Sequence, residues 1–121
     1  MYNTMKFRIE FYENVQGRCP VQDFLEGLKD TAPDDFAVIL AGLNKLKLRE
    51  YHRLPLSKPI GDGLYELRHV GRLNTRIFYF FAHGKRVILV NGILKKGRKI
   101  PARERKVALQ RKLDWEARYL K

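Results

Sequence analysis

Cysteine is almost absent from the sequence, which has only Cys19 and three histidines among its 121 residues. A single cysteine excludes an internal disulfide, and the few His and Cys residues do not have the spacing of a zinc site. Long apolar runs are also missing, since none approaches the roughly 20 residues that a membrane-spanning helix needs. The first ten residues alternate polar and apolar side chains, unlike a signal peptide. We therefore expect a reduced cytoplasmic protein without a metal or cofactor.

Acidic residues are few, because 13 Asp and Glu stand against 25 Lys and Arg, a net charge of +12. The imbalance is concentrated at the end of the chain, where residues 85–121 hold 13 basic and 3 acidic side chains. Such an uneven distribution predicts a polyanionic partner, which is nucleic acid, an anionic membrane or an acidic protein. The alternative is a solvated, lysine-rich helix whose charge only aids solubility.

The first half of the sequence predicts a strand followed by two helices. Lys6–Phe11 alternates with a period of two, which is typical of a half-buried strand, and Gly17 ends this segment. Pro20 suits the first turn of a helix. Thr31–Asp35 has the turn and the acidic residues that begin a second helix, which fades near Glu50. Apolar residues at helical spacing give each helix a packing face: Val21, Phe24, Leu25 and Leu28, then Phe36, Ile39, Leu40, Leu43 and Leu46.

The second half predicts a loop, three strands and a last helix. Prolines and glycines mark Leu54–Gly63 as the loop. Turns short enough for an antiparallel meander join the three strand-like segments, Leu64–His69, Thr75–Ala82 and Lys85–Leu94. Pro101 then begins a helix with an apolar stripe of Leu109, Leu113, Ala117 and Leu120. The order β-α-α-β-β-β-α predicts a single α+β domain over residues 1–121, with helices packed on one antiparallel sheet.

Three of these segments, in this order, resemble the RelE/ParE toxin superfamily, and within it the phage-derived HigB-like branch. They are Leu64–Arg68 (LYELR), Arg76–Phe80 (RIFYF) and Leu94–Pro101 (LKKGRKIP). The loop Leu54–Gly63, which contains Lys58, also fits that branch. The resemblance covers nearly the whole chain, and it implies a RelE-like fold with the element order predicted above.

The resemblance implies the toxin of a type II toxin–antitoxin system, a metal-independent endoribonuclease that cuts messenger RNA on the ribosome and inhibits translation. Its implied partners are the ribosome, messenger RNA and a cognate antitoxin that forms a hetero-oligomer with the toxin. In the HigB-like branch the antitoxin is usually a helix-turn-helix protein. One departure concerns the chemistry, because many relatives carry a histidine where this chain has Asn91. A histidine-based acid–base role is therefore not expected at this position.

RNA cleavage without a metal uses the 2′-hydroxyl of the RNA as nucleophile, so the protein must move protons and neutralise charge at the phosphate. Parity places Arg68 and Arg76 on one face of the sheet if Leu67 and Ile77 face the helical hairpin. Two arginines there would hold the scissile phosphate. In the resemblance, Arg76 matches a family catalytic arginine and Arg68 supports it. The alternative for this pair is a cross-strand salt bridge, for instance to Glu66.

Further basic residues follow the last predicted strand. Lys95 and Lys96 leave it on opposite sides, so one should point onto the face of Arg68 and Arg76. That lysine would stabilise the transition state or act as acid or base, and the alternative is a general attraction of phosphate. The other cations predict sequence-independent, salt-sensitive contacts with the RNA backbone, and they are Lys58, Arg98, Lys99, Arg103, Arg105 and Lys106.

The histidines and aromatic residues have simpler interpretations. His52, His69 and His83 are expected to be ordinary loop or strand-end residues, and parity points His69 away from the arginine face. Phe78 and Phe80 either stack on RNA bases or pack under the final helix.

Two other functions stay open at this point. In the ParE branch the same scaffold serves a non-enzymatic toxin that poisons gyrase, and a toxin that had lost catalysis would remain a nucleic-acid-binding module. The Arg68 and Arg76 pair, together with the double lysine, favours the ribonuclease over both.

Overall fold

A computed structural model describes residues 6–70 and 73–120 of the chain. Within these residues three α-helices, one short 3-10 helix and five strands follow one another along the chain. Their bounds are β1 Arg8–Phe11, α1 Pro20–Thr31, α2 Pro33–Lys45, the 3-10 helix Arg49–Tyr51, β2 Ser57–Gly61, β3 Leu64–Val70, β4 Asn74–Ala82, β5 Arg86–Leu94 and α3 Ala102–Tyr119. The predicted α+β class and the predicted order of strand, helices, strands and helix are confirmed.

The strands form one sheet in the order β1-β5-β4-β3-β2. β3, β4 and β5 are the predicted antiparallel meander, and β2 extends it on the far side of β3. β1 pairs in parallel with β5, so the first strand closes the sheet beside the last one. Among the described residues no helix is both long and apolar enough to cross a membrane.

The prediction that Leu54–Gly63 is a loop is wrong for Ser57–Gly61, which is strand β2. Ser57 and Pro59 pair with Leu67 and Tyr65, and the ladder shifts register between Pro59 and Gly61. A proline lacks the backbone N–H that an inner strand needs, but β2 lies at the edge of the sheet, where that donor is not required. The turn-forming residues of this segment therefore give no sequence signal for a strand. The segment is a strand because it pairs with β3.

Alternating side chains divide the apolar core between the two faces of the sheet. Leu67, Ile77 and Tyr79 point to the helical hairpin, where they pack against residues of α1 and α2 such as Leu25 and Ile39. The opposite face packs against α3 and contains Leu64, Phe78, Phe80, Ile88, Val90, Ala108 and Trp115. The parity prediction that Leu67 and Ile77 face the helical hairpin is thus confirmed. Phe78 and Phe80 pack under α3 at 1% exposure or less, so neither ring is free to stack on a base.

The predicted apolar stripe of the last helix is right for Leu109, which packs against the core, and wrong for Leu113, Ala117 and Leu120, which are exposed. Leu113 and Leu120 are more than half exposed, and the buried residues of α3 are Ala108 and Trp115. Trp115 offers the largest apolar surface on the helix, and its ring packs edge-on against Phe80. With Trp115 facing the sheet, Leu113 and Leu120 face outward.

A β-bulge in β5 brings the strand close to both layers of helices. Phe78 pairs with Asn91 and Tyr79 with Leu89, which leaves Val90 as the extra residue. Past the bulge, Gly92 lies beneath the ring of Phe24 on α1, so closely that a Cβ atom there would overlap the ring. The helical hairpin thus approaches β5 at a position that only glycine fits.

We expect Gly92→Ala to lower the free energy of unfolding by about 1–3 kcal/mol, because Phe24 must move out of its packed position. Gly27→Ala is the matched control, since the added methyl group on the outside of α1 would meet nothing within 4 Å. This change should be neutral or stabilising by up to about 1 kcal/mol. Urea denaturation of both variants measures the difference. Equal stabilities would contradict the close packing at Gly92.

Candidate functional site

A cleft of about 420 Å³ lies on the α3 side of the sheet, between β2 and the loop that joins β5 to α3. Five cationic side chains and one carboxylate line it, so its wall is strongly positive. We call it the basic cleft, and its lining residues are Lys58, Pro59, Ile60, Glu66, Lys95, Arg98, Lys99, Ile100, Ala102 and Arg105. All five cations are among the residues that the sequence predicted for catalysis or RNA contact.

We call the segment from Lys95 to Ile100, between β5 and α3, the basic loop. Two hydrogen bonds attach this loop and the start of α3 to the sheet. The backbone N–H of Lys95 donates to the carbonyl of Asn74 at 2.7 Å, which continues the β4–β5 ladder by one residue. Arg105 donates through Nη1 to the carbonyl of Ile60 at 3.1 Å and so joins the first turn of α3 to the edge strand. Lys58 lies directly opposite Glu66 in the β2–β3 register. The cations of β2, the loop and α3 therefore line the same cleft as the Glu66 carboxylate.

Glu66 forms an ion pair with both predicted arginines. Arg68 and Arg76 are direct neighbours across β3 and β4, as parity predicted. The Nε atom of each lies 3.7 Å from a different oxygen of the Glu66 carboxylate. Arg76 also donates from Nη1 to the carbonyls of His69 and Thr75, at 3.1 and 3.0 Å. The alternative interpretation, a cross-strand salt bridge to Glu66, is what the structure contains.

Depth separates the two arginines. Arg76 is 4% exposed and Glu66 3% exposed, whereas the side chain of Arg68 is 33% exposed. Neither arginine lines the basic cleft, and Arg76 is the deeper of the two. Burial lowers the pKa of the Arg76 guanidinium from its ordinary value, the Glu66 carboxylate opposes this change, and neighbouring Arg68 adds to it. The expected pair of open, phosphate-holding arginines is replaced by one part-exposed and one buried guanidinium.

The ion pairs leave hydrogen-bonding capacity unused. At 3.7 Å the contacts are too long for hydrogen bonds. Within the described part of the chain, Glu66 Oε2, Arg68 Nε and Arg76 Nε are buried atoms without a hydrogen-bond partner. The charge of Glu66 is thus balanced by its neighbours, while Oε2 keeps an unused hydrogen-bond acceptor.

The remaining predicted cations lie outside the basic cleft. Lys96, Arg103 and Lys106 are exposed on the loop and on α3, and none of them belongs to the lining. The two consecutive lysines therefore separate as parity predicted, with Lys95 in the cleft and Lys96 turned away from it. The exposed cations extend the positive surface beyond the cleft.

Asn91 is a packing residue under α3. Its side chain is 3% exposed, donates from Nδ2 to the carbonyl of Glu104 at 3.3 Å and accepts a hydrogen bond from Arg111. Arg111 also donates to the carbonyl of Val90 at 2.9 Å, and burial lowers the pKa of its guanidinium. The amide thus completes the contact between the β5 bulge and the last helix.

The three histidines also lie away from the basic cleft. His69 Nε2 is 2.8 Å from a carboxylate oxygen of Asp35 on the hairpin side of the sheet, in agreement with its parity. His52 Nε2 lies 2.7 Å from the carbonyl of Leu46, and His83 is exposed in the β4–β5 turn. Tyr79 is fully buried and donates to Ser57 Oγ, and burial raises the pKa of this phenol to about 12.

Glu66 is the site residue that the sequence analysis did not select. Its signal was present, because it shares parity with Arg68 and stands two positions before it on the same strand. The pattern alone is also that of an ordinary cross-strand salt bridge.

Among the described residues no group of three or more His, Cys, Asp or Glu side chains lies together as a possible metal site.

A mixed five-stranded sheet with a helical hairpin on one face and a basic cleft beside a single helix on the other defines a small α+β protein with a positively charged cleft. Residues 23–113 match the model of the family described as phage derived protein Gp49-like (DUF891), and the chain belongs to this family. No curated protein matches the sequence.

We expect Arg76→Met to lower the free energy of unfolding by about 3–5 kcal/mol, because it leaves the buried Glu66 carboxylate without its deeper partner. Arg68→Met is the matched control, and its loss should be about 1 kcal/mol or less, since a part-exposed pair is screened by water. The double variant Glu66→Gln/Arg76→Met should recover part of the loss. Urea denaturation of all three variants tests this, and equal losses for the two arginines would contradict the assigned depths.

Proposed function

We propose that the protein is a RelE/HigB-like toxin of a type II toxin–antitoxin system, a metal-independent endoribonuclease that cuts messenger RNA on the ribosome and inhibits translation. The observation that carries the proposal is the basic cleft, whose wall combines one buried carboxylate with five cations. Membership of a phage-derived family is consistent with it. The proposed partners are the ribosome, messenger RNA and a cognate antitoxin of the helix-turn-helix class, in a hetero-oligomer.

The cations of the cleft are suited to bind the RNA backbone. Lys58, Lys95 and Arg105 reach the cleft from three different elements, so phosphates can be held from several sides at once. Arg98 and Lys99 add positive charge from the loop, and the exposed cations beyond the cleft extend the positively charged surface. Contacts of this kind position a strand without selecting its sequence. Codon preference would then come from the ribosome-bound geometry of the message.

Glu66 is the residue we assign as general base. Its carboxylate would take the proton of the 2′-hydroxyl, whose oxygen attacks the adjacent phosphorus and forms a 2′,3′-cyclic phosphate. The bond from phosphorus to the 5′-oxygen breaks, and the leaving oxygen must receive a proton. Lys95 is the candidate donor and also neutralises charge in the transition state. Arg68 does not line the cleft, and its proposed part is to balance the charge of Glu66.

Arg76 takes a different role from the one the sequence suggested. A guanidinium that is 4% exposed and bonded to two backbone carbonyls is held away from the phosphate. Through its contact with Glu66 it would instead fix the direction of the carboxylate. Arg76 is therefore proposed as a positioning residue behind the catalytic groups.

Induction of the protein in bacterial cells, followed by mapping of transcript 5′ ends, tests the proposed activity. We expect growth arrest and codon-linked cuts, and a fall in cleavage of about 10²-fold or more for Glu66→Gln and Lys95→Gln, the usual range for acid–base residues. Lys29→Gln on the exposed side of α1 is the matched control and should cleave normally. Arrest with intact messages but with DNA damage would contradict cleavage and favour a gyrase poison.

The salt dependence of RNA binding tests the cleft independently of cleavage. The plot of log affinity against log salt concentration has a negative slope. Each phosphate contact that is lost should make that slope less steep by about 0.7 for single-stranded RNA. We expect this change for Lys99→Gln and for Lys58→Gln, measured by fluorescence anisotropy with an RNA dodecamer. The slope of Lys29→Gln should equal that of the unchanged protein. Binding without any cleavage in cells would leave a nucleic-acid-binding module, and unchanged slopes would contradict the cleft.

A further inference from the structure

We propose that the free edge of β1 and the neighbouring face of α2 form a docking groove for an extended segment of a partner protein, with alternating apolar and acidic side chains. The groove is separate from the basic cleft and shares no residue with it. The inference goes beyond the proposed ribonuclease and does not depend on it.

The groove is apolar and open. It has a volume of about 730 Å³ and runs between β1 and α2 on the hairpin side of the sheet. Phe11 from β1 is 41% exposed and Leu40 from α2 is 47% exposed, and both line the groove. Neighbouring apolar side chains that remain this exposed mark an interaction surface more often than chance positions do. The lining residues are Ile9, Phe11, Phe36, Ala37, Leu40, Ala41, Leu43, Asn44 and Lys47.

The backbone of β1 offers hydrogen bonds along the same groove. Among the described residues β1 lies at the edge of the sheet and pairs with β5, while Phe7 just before it donates its N–H to the carbonyl of Lys47 at 2.9 Å. The N–H groups of Arg8 and Tyr12 donate to β5 or the turn before it, at 2.9 Å each. Because alternate residues of a strand direct their backbone groups to opposite sides, those of Ile9 and Phe11 face the open edge. An added strand would find donors and acceptors there, which is a recurring way of binding extended peptides.

Charge at one end of the groove selects the kind of peptide. The groove continues through Ile9 and Lys47 into a depression of about 610 Å³ that is also lined by Lys6, Arg8, Glu10 and Arg86. Arg86 and Glu10 bind each other at 2.6 and 2.8 Å and so balance each other's charge. The exposed cations Lys6 and Lys47 remain to attract carboxylates, and Arg8 adds charge although it also lies 4.0 Å from Glu10. A second copy of this chain is a poor occupant, because its own net charge is +12.

The probe for the test is a fluorescein-labelled decapeptide that alternates isoleucine with glutamate, titrated with the full chain by fluorescence anisotropy. We expect Leu40→Glu to raise the Kd by about tenfold or more, since it places an acidic group in the apolar wall. Leu113→Glu is the matched control, because Leu113 is 54% exposed on the opposite side of the molecule. Its Kd should be unchanged. Equal effects of the two substitutions would overturn the proposal.

Two altered peptides and one control separate the parts of the inference. Replacing the glutamates by lysine should abolish binding, and N-methylation of alternate residues should weaken it if backbone pairing with β1 contributes. A lysine peptide that binds as well would overturn the charge argument. RNA affinity should be the same for Leu40→Glu and the unchanged protein, which separates failure here from failure of the proposed function. A dimer that Leu40→Glu dissociates would assign the groove to a second copy and contradict the proposal.

Discussion

The ion pair between Glu66 and Arg76 is the interaction on which the site depends. The two side chains are diagonal neighbours across β3 and β4, and both are almost fully removed from water. A buried charge is tolerated only beside a partner, so each residue fixes the position of the other. They also lie where the apolar core under α3, which contains Phe78 and Phe80, gives way to the basic loop. The ion pair between Glu66 and Arg76 therefore lies at the boundary between the apolar core and the basic cleft.

Most of the fold could be predicted because its signals are local. The alternation of β3 and β4 assigned Leu67, Ile77 and the arginines to their faces without any knowledge of packing. β2 could not be found in this way, since its proline and glycines indicate turns and its strand conformation depends on pairing with β3. The buried face of α3 was also out of reach, because it is decided by what Trp115 and Arg111 contact on other strands.

The candidate site was predictable in charge but not in depth. Clustered cations in the sequence marked the loop after β5 and the start of α3, and four of them line one cleft together with Lys58 of β2. Parity gives the face on which a strand residue lies, whereas its burial depends on the loop that closes over that face. Arg76 therefore looked as accessible as Arg68. Glu66 was overlooked for the same reason, because a carboxylate between arginines becomes a candidate base only when it lines a cleft.

The two surfaces lie on opposite faces of the sheet, and this separation limits how one can control the other. The groove is built from β1 and α2, whereas the basic cleft is built from β2, β3, α3 and the loop before it. No structural element lines both, so a short segment bound in the groove leaves the cleft uncovered. A partner that silences the cleft from the groove must therefore extend around the sheet, or keep the protein from entering a larger assembly by its bulk. The groove would then supply affinity, while the rest of the partner supplies inhibition.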